Sequence, residues 1–273
     1  MTTHTAQLPT GITLEYALEG PPGKPVLCFV HGLGAAMDQF RPQADYFASD
    51  YRVLRLSLRG HGGSSAPAQP TPDSYTPRVL AQDVQALLTH LGTEALHYVG
   101  NSLGGLVGYE LLELGQPRLL SLTTFGTTAE LHSPRLVYWT VVAMTHLLGV
   151  KGVAALIGKT ATQDRNVGVQ LQAMYRKATK DALLHIARHI ADYDYTATLR
   201  EADLPLLLIQ CALDKEINTA LASTLAALDV APLGHVVHLD NTGHFANLEL
   251  PEAFNHILET FLAQLPVDNR DNL

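Results

Sequence analysis

A chain of 273 residues has room for one large domain or two small ones, and 47% hydrophobic with 16% charged residues is the composition of a globular protein able to bury a substantial core. The formal net charge of −8, with no run of Lys or Arg, argues against a nucleic-acid partner, because phosphate binding is driven by clustered cations. The opening Met1–Gln7 has neither a positive n-region nor an apolar h-region, so the expectation is no signal peptide and a cytoplasmic location. The two cysteines, Cys28 and Cys211, each fall in or at the end of a strand-like run. That placement fits small buried apolar side chains in a reducing compartment better than a disulfide framework. No Cys/His spacing suggests zinc.

Thr3–Leu8 and Ile12–Glu19 read as strands joined by Pro9-Thr10-Gly11, a hairpin opening an antiparallel edge. Short apolar runs without clean alternation follow at 25–30, 52–57, 96–100, 119–125, 205–210 and 235–239, a pattern suited to strands buried on both faces of a parallel sheet. Between them lie helical stretches at 36–49, 76–91, 102–114, 218–228 and 251–264. Thr76-Pro77 is a good start signal, because proline's missing N–H is no loss in the first helical turn. The alternation predicts an α/β architecture: a mostly parallel, eight-stranded sheet of right-handed βαβ units with helices on both faces.

From 127 to 198 the rhythm stops, and the sequence reads as helical with no evident strand. The expected organisation is a core built from 1–126 and 199–273, with 127–198 as a helical cap inserted before the last two strands. Ser133-Pro134 opens an apolar helix reaching Leu148, Gly149 and Gly152 break it, and Val167–Thr179 and Asp181–Tyr193 read as amphipathic helices. The apolar stretch 136–150 contains Thr140, Thr145 and His146 and is shorter than the ~20 residues a membrane helix needs. It is expected to be buried or to line a pocket. The Pro- and Ser-rich stretch 64–75 reads as a surface loop.

Gly100-Asn101-Ser102-Leu103-Gly104 sits between a strand-like and a helix-like run. A serine in such a turn projects its hydroxyl from the backbone, and the flanking glycines let neighbouring segments approach where a Cβ would clash. Ligands of open α/β sheets gather outside the carboxyl ends of the strands, so the loops after the other strands matter equally. They carry His31-Gly32-Leu33-Gly34, then Asp214, then His244 within Asn241-Thr242-Gly243-His244. Asp214 could be a solvated turn residue near a helix start or an orienting acid, and Glu130 is the competing acid. His31 and His61 suit loop packing, Asn101 a supporting hydrogen bond, and Asp240 the surface.

These ordered motifs, with Arg59-Gly60-His61-Gly62 and the ending Gly243-His244-Phe245 through Pro251-Glu252, resemble the α/β-hydrolase superfamily over nearly the whole chain. The resemblance implies Ser102 as nucleophile, His244 as general base and Asp214 as the acid that orients it. It places the oxyanion donors at the backbone N–H groups of Leu33 and Leu103. Candidate pocket residues are His31, Tyr138, Trp139, Val142, Met144 and Leu147. Neither a cofactor nor a metal is implied. A serine at 102 departs from the haloalkane dehalogenases and epoxide hydrolases of this fold, which use an aspartate nucleophile. Gly-Asn-Ser-Leu-Gly-Gly is similar to the elbow of meta-cleavage C–C hydrolases, although Gly34-Ala35 stands where those enzymes usually carry Gly-Pro. The leading expectation is a carboxylic-ester or lactone hydrolase acting on small to medium apolar molecules. The alternatives are a C–C hydrolase of vinylogous diketones and a ligand-binding sensor of the same fold. The expected partner is thus a small apolar ester, lactone or diketone, with no nucleic acid and no stable membrane insertion.

Overall fold

β1 (His4–Gln7) and β2 (Thr13–Glu19) form the opening hairpin, with His4 opposite Tyr16 in an antiparallel register. β3 (Val26–Val30) is followed by a 3-10 turn at 37–40 and α1 (Arg41–Phe47). β4 (Arg52–Leu56), α2 (Pro77–His90), β5 (Ala95–Asn101), α3 (Leu103–Leu114) and β6 (Arg118–Phe125) continue the alternation. The computed structural model describes residues 2–265; Met1 and 266–273, the outer ends of the expected core, lie outside the described residues.

After β6 comes β7 (Glu130–His132), which pairs with β8 (Asp192–Asp194) in an antiparallel ribbon, Glu130 opposite Asp194. This corrects the expectation of a strand-free insertion. Each strand has three residues and is dominated by polar side chains, so no apolar alternation betrays it. Between the two strands run α4 (Arg135–Thr160), α5 (Arg165–Tyr175) and α6 (Lys180–His189). α4 departs from expectation twice. It breaks at Gly149 (φ 63°, ψ 174°) as expected, but Gly152 stays helical and the helix resumes to Thr160, so the apolar segment Tyr138–Thr160 reaches 23 residues across that break, enough by length and composition to cross a membrane. It is also not buried: Leu136, Trp139, Val141, Leu147 and Leu148 are exposed. Hydropathy alone does not tell which side of a helix has a neighbour.

α7 (Thr196–Arg200) leads to β9 (Leu206–Cys211), α8 (Lys215–Thr219), α9 (Ala222–Val230), β10 (Gly234–Leu239), α10 (Ala246–Glu249) and α11 (Pro251–Ala263). The sheet has eight strands in the order β1-β2-β4-β3-β5-β6-β9-β10, with β1, β2 and β4 antiparallel neighbours and every later pairing parallel. Successive β3 residues feed opposite faces. Cys28 and Val30 join the core that holds Leu80 and Val84 of α2 and Leu106 of α3. Leu27 and Phe29 join the core of Phe40, Phe47 and Phe254. That double burial explains why the strand sequences are apolar throughout.

α3 packs hard against β3. A Cβ on Gly104 would collide with the Val30 carbonyl and lie 3.0 Å from the His31 carbonyl oxygen, backbone that has nowhere to go. Gly104→Ala is therefore expected to cost about 3 kcal/mol of stability, at the upper end for overpacking, read as a lower urea midpoint at unchanged slope. A midpoint equal to the parent's would show that the helix can slide away freely.

Candidate active site

Ser102 joins β5 directly to α3 and has φ 52° and ψ −115°, a conformation costly for any residue with a Cβ. Its N–H donates to the Phe125 carbonyl at 3.0 Å, while its own carbonyl accepts from Gly105 N–H at 2.8 Å. Strand pairing on one side and the first helical turn on the other hold the strain. The loop after β3 lies alongside: a Cβ on Gly32 would sit 3.3 Å from Ser102 Cβ. Leu103 is the first residue of α3, so its N–H has no intrahelical acceptor, and no hydrogen bond among the described residues uses it or the Leu33 N–H. Gly34, at φ 78°, has the Tyr175 ring of α5 pressed so closely on it that a Cβ would overlap the ring. Tyr175 thus covers this loop from the inserted segment, a contact that the bare helical pattern of 167–179 did not signal.

His244 arrives on the loop after β10. Its Nδ1 lies 2.8 Å from Oδ2 of Asp214, which is buried in the loop after β9. The two loops are tied together, Leu213 N–H donating to the Thr242 carbonyl at 2.8 Å. A Cβ on Gly126 would be 3.2 Å from His244 Cε1, and Gly126 follows the Phe125 whose carbonyl holds Ser102. The imidazole therefore lies at the end of β6 next to the serine turn. With Nδ1–H donated to a carboxylate, Nε2 is left as the basic nitrogen. Glu130 is placed elsewhere: it accepts from His132 Nε2 at 3.0 Å within the β7–β8 ribbon.

Buried side-chain amides connect these loops. Gln39 Nε2 donates to Asn101 Oδ1 at 2.9 Å and to Asn247 Oδ1 at 3.2 Å, and Gln39 Oε1 accepts from Gly32 N–H at 3.3 Å. Asn101 Nδ2 donates to the His244 carbonyl at 3.0 Å and to the Phe125 carbonyl at 3.2 Å. Asn247 Nδ2 closes the set on Gln43 Oε1 at 3.0 Å. All four amides are fully buried, where satisfied polar networks are rigid. Asn101 meets its expected supporting role. Gln39 and Asn247 carried no sequence signal, because an amide on a helix reads as surface.

His31 corrects the expectation of a pocket-lining residue. It is fully buried, donating from Nδ1 to the Gly32 carbonyl at 2.7 Å and accepting Leu58 N–H on Nε2 at 2.9 Å. Burial, reinforced by the neighbouring His61, pushes its pKa down to about 3. Burial also holds His61 and His97 at about 4. All three stay neutral in the folded chain but take up protons below their ordinary value of 6.5 once it unfolds. The unfolded state then binds more protons, so stability is expected to fall as pH drops from 6.5 towards 4, each ring adding up to about 1.4 kcal/mol per pH unit. Urea midpoints across this range measure the slope, and His97→Gln should flatten it; an unchanged slope would remove His97 from the account.

Of the other candidate pocket residues, Trp139 and Leu147 are exposed, while Tyr138, Val142 and Met144 are half-buried on α4. A groove of about 900 Å³ lies between the α4–α5 junction, with Gly158, Lys159 and Arg165, and the loops bearing Leu213, Asn241 and Gly243, flanking the Asp214–His244 pair. Among the described residues, no cluster of three His, Cys, Asp or Glu side chains is arranged to hold a metal ion. Cys28 and Cys211 are buried thiols.

Residues 25–143 match the family model described as the alpha/beta hydrolase fold. The chain is similar to 3-oxoadipate enol-lactonase 2 of Acinetobacter baylyi, with 28% identity over 264 residues that span 92% of this chain and 93% of that one. Among solved structures, a hydrolase from Pseudomonas aeruginosa PA01 superposes with a TM-score of 0.80 at 27% identity, covering 96% of this chain and 98% of the other. The enol-lactonase from Burkholderia xenovorans LB400 superposes with a TM-score of 0.84 at 24% identity, covering 96% and 100%.

Proposed function

Because the chain belongs to the α/β-hydrolase superfamily, its serine turn and carboxylate–imidazole pair have a shared frame, and we propose that it cleaves carboxylic esters or lactones of small to medium apolar molecules through an acyl-Ser102 intermediate. The observation that carries this reading is the 2.8 Å contact between Asp214 and His244 Nδ1, with the imidazole at the end of β6 beside Ser102. The enol-lactonase similarity over nearly the whole chain supports the lactone and ester class.

Ser102 Oγ attacks the substrate carbonyl carbon as His244 Nε2 takes its proton. The carbonyl oxygen, now an oxyanion, accepts from the N–H groups of Leu33 and Leu103, each such donor contributing about 3 kcal/mol. Collapse breaks the C–O bond, and His244 returns the proton to the leaving alkoxide. In a linear ester the alcohol departs. In a lactone it stays tethered to the acyl group, so the ring opens on the enzyme. Water, deprotonated by His244, then attacks the acyl carbon and frees Ser102. Asp214 keeps the proton on Nδ1 and offsets the imidazolium charge without becoming protonated. Residues 127–198 serve as the cap over this centre, with Tyr175 on Gly34 and Thr179 N–H on the Gly60 carbonyl among their contacts with the body.

The test is intact-mass analysis after fluorophosphonate treatment, with the adduct mapped by peptide sequencing, followed by turnover of matched short esters and lactones. A single adduct on Ser102 with sustained turnover of either class is the expected result. Ligand-dependent stabilisation without adduct or turnover would replace hydrolysis by the sensor reading. Turnover confined to vinylogous diketones would replace it by C–C cleavage.

A further inference from the structure

Ester hydrolysis leaves the outer surface of α4 unused. Leu136, Trp139, Ala143 and Leu147 recur at spacings of three and four and so share one side of that helix. Leu136 is 75% exposed, Trp139 59% and Leu147 84%, and Val141 and Leu148, also exposed, lie on a different side of the helix. Soluble proteins rarely leave so many large apolar side chains together in water unless something covers them. The most apolar 18-residue window of Tyr138–Thr160 has a mean hydropathy of 1.7, with only 11% of it buried.

Charge says what covers it. Residues 131–163 contain no Asp or Glu, and the charged residues of α4 are Arg135, Lys151 and Lys159. The asymmetry extends to the whole insertion: 127–198 holds eight Lys and Arg against five Asp and Glu, while the rest of the chain holds ten against twenty-one. An apolar stripe on the one cationic segment of an acidic protein matches an anionic lipid surface, which would repel the acidic remainder and so orient the molecule. A second copy of the chain would instead bring two cationic segments face to face. The break at Gly149 and the exposed Lys151 beyond it suit a helix lying in the interface rather than crossing it. We propose that α4 docks the protein on anionic bilayers, Leu136, Trp139 and Leu147 entering the acyl boundary while Lys151 meets the headgroups.

Trp139 is the chain's single tryptophan, so intrinsic tryptophan fluorescence reports on this surface alone. The experiment titrates the full chain with vesicles of phosphatidylglycerol and, separately, of phosphatidylcholine, recording emission and cosedimentation at low and high salt. The expected result is a blue shift and cosedimentation with phosphatidylglycerol at low salt, weakened at high salt and small with phosphatidylcholine. Lys151→Glu should lower partitioning by roughly tenfold or more, and Leu136→Glu should abolish it, with circular dichroism unchanged in both. Three results would overturn the proposal: no shift with either lipid, equal binding to both lipids regardless of salt, or a blue shift that follows protein concentration without vesicles, which would assign the face to self-association. The wild-type salt and lipid arms decide the matter even if a variant fails to fold. None of the readouts requires catalysis, so the docking and the hydrolase assignment stand or fall separately.

Discussion

Ser102→Gly is expected to melt higher than the parent protein while losing its turnover. The serine is held at φ 52°, ψ −115°, between a hydrogen bond to Phe125 and the first turn of α3, a conformation that costs a residue with a Cβ about 1–3 kcal/mol. Glycine adopts it freely and returns part of that gain as extra disorder in the unfolded chain. A net stabilisation of about 1 kcal/mol, or about 2–4 °C in Tm, is the expected balance. Removal of the Oγ nucleophile lowers kcat by about 10⁴-fold or more, down to what positioning and the oxyanion donors achieve alone. Ser102→Ala keeps the strain and loses the same chemistry, so the two variants should match in inactivity and differ in Tm. Melting curves and p-nitrophenyl ester turnover measure both quantities. Turnover surviving in either variant would refute Ser102 as the nucleophile, and equal melting temperatures would mean the turn stores no strain.

Asp214→Asn should leave the fold intact and lower kcat by about 10⁴-fold. Asparagine still fits the buried loop and can accept a hydrogen bond, but it carries no negative charge to offset an imidazolium. Its NH₂ group can also turn towards Nδ1 and favour the tautomer whose proton sits on Nε2, the nitrogen that must be basic. Glu130→Gln is the matched control: Glu130 is bonded to His132 in the β7–β8 ribbon, so kcat should stay near the parent's. A collapse of kcat in Glu130→Gln with Asp214→Asn nearly normal would transfer the orienting role and require the two loops to rearrange.

The strands and the serine turn were legible because each leaves a local mark, whereas Asp214 and His244 were singled out through the family resemblance and their place in loops after strands. Buried parallel strands such as Val26–Val30 read as short apolar runs, and Ser102 is framed by glycines whose absent side chains admit β3 and α3. The β7–β8 ribbon leaves no such mark, since three residues such as Asp192-Tyr193-Asp194 cannot display a period. The exposure of α4 was equally hidden, because Leu136–Val150 would read the same beneath a neighbouring helix as in water. The Gln39–Asn101–Asn247 amides join positions 39, 101 and 247, and only the folded sheet brings those together.

The β7–β8 ribbon also bears on how such a chain diversifies. Beside it, Ser133 N–H bonds the Ala191 carbonyl at 2.8 Å and Tyr195 N–H the Ala129 carbonyl at 2.7 Å, so the insertion leaves and rejoins the body through one narrow neck. Once two ends are clasped, the entropy of the chain between them changes only slowly with its length. The hydrogen bonds that hold Ser102, Asp214 and His244 all arise outside that neck. An insertion clasped in this way can vary in length and sequence with little cost at the neck, provided that its contacts with the body, such as Thr179 N–H on the Gly60 carbonyl, are matched.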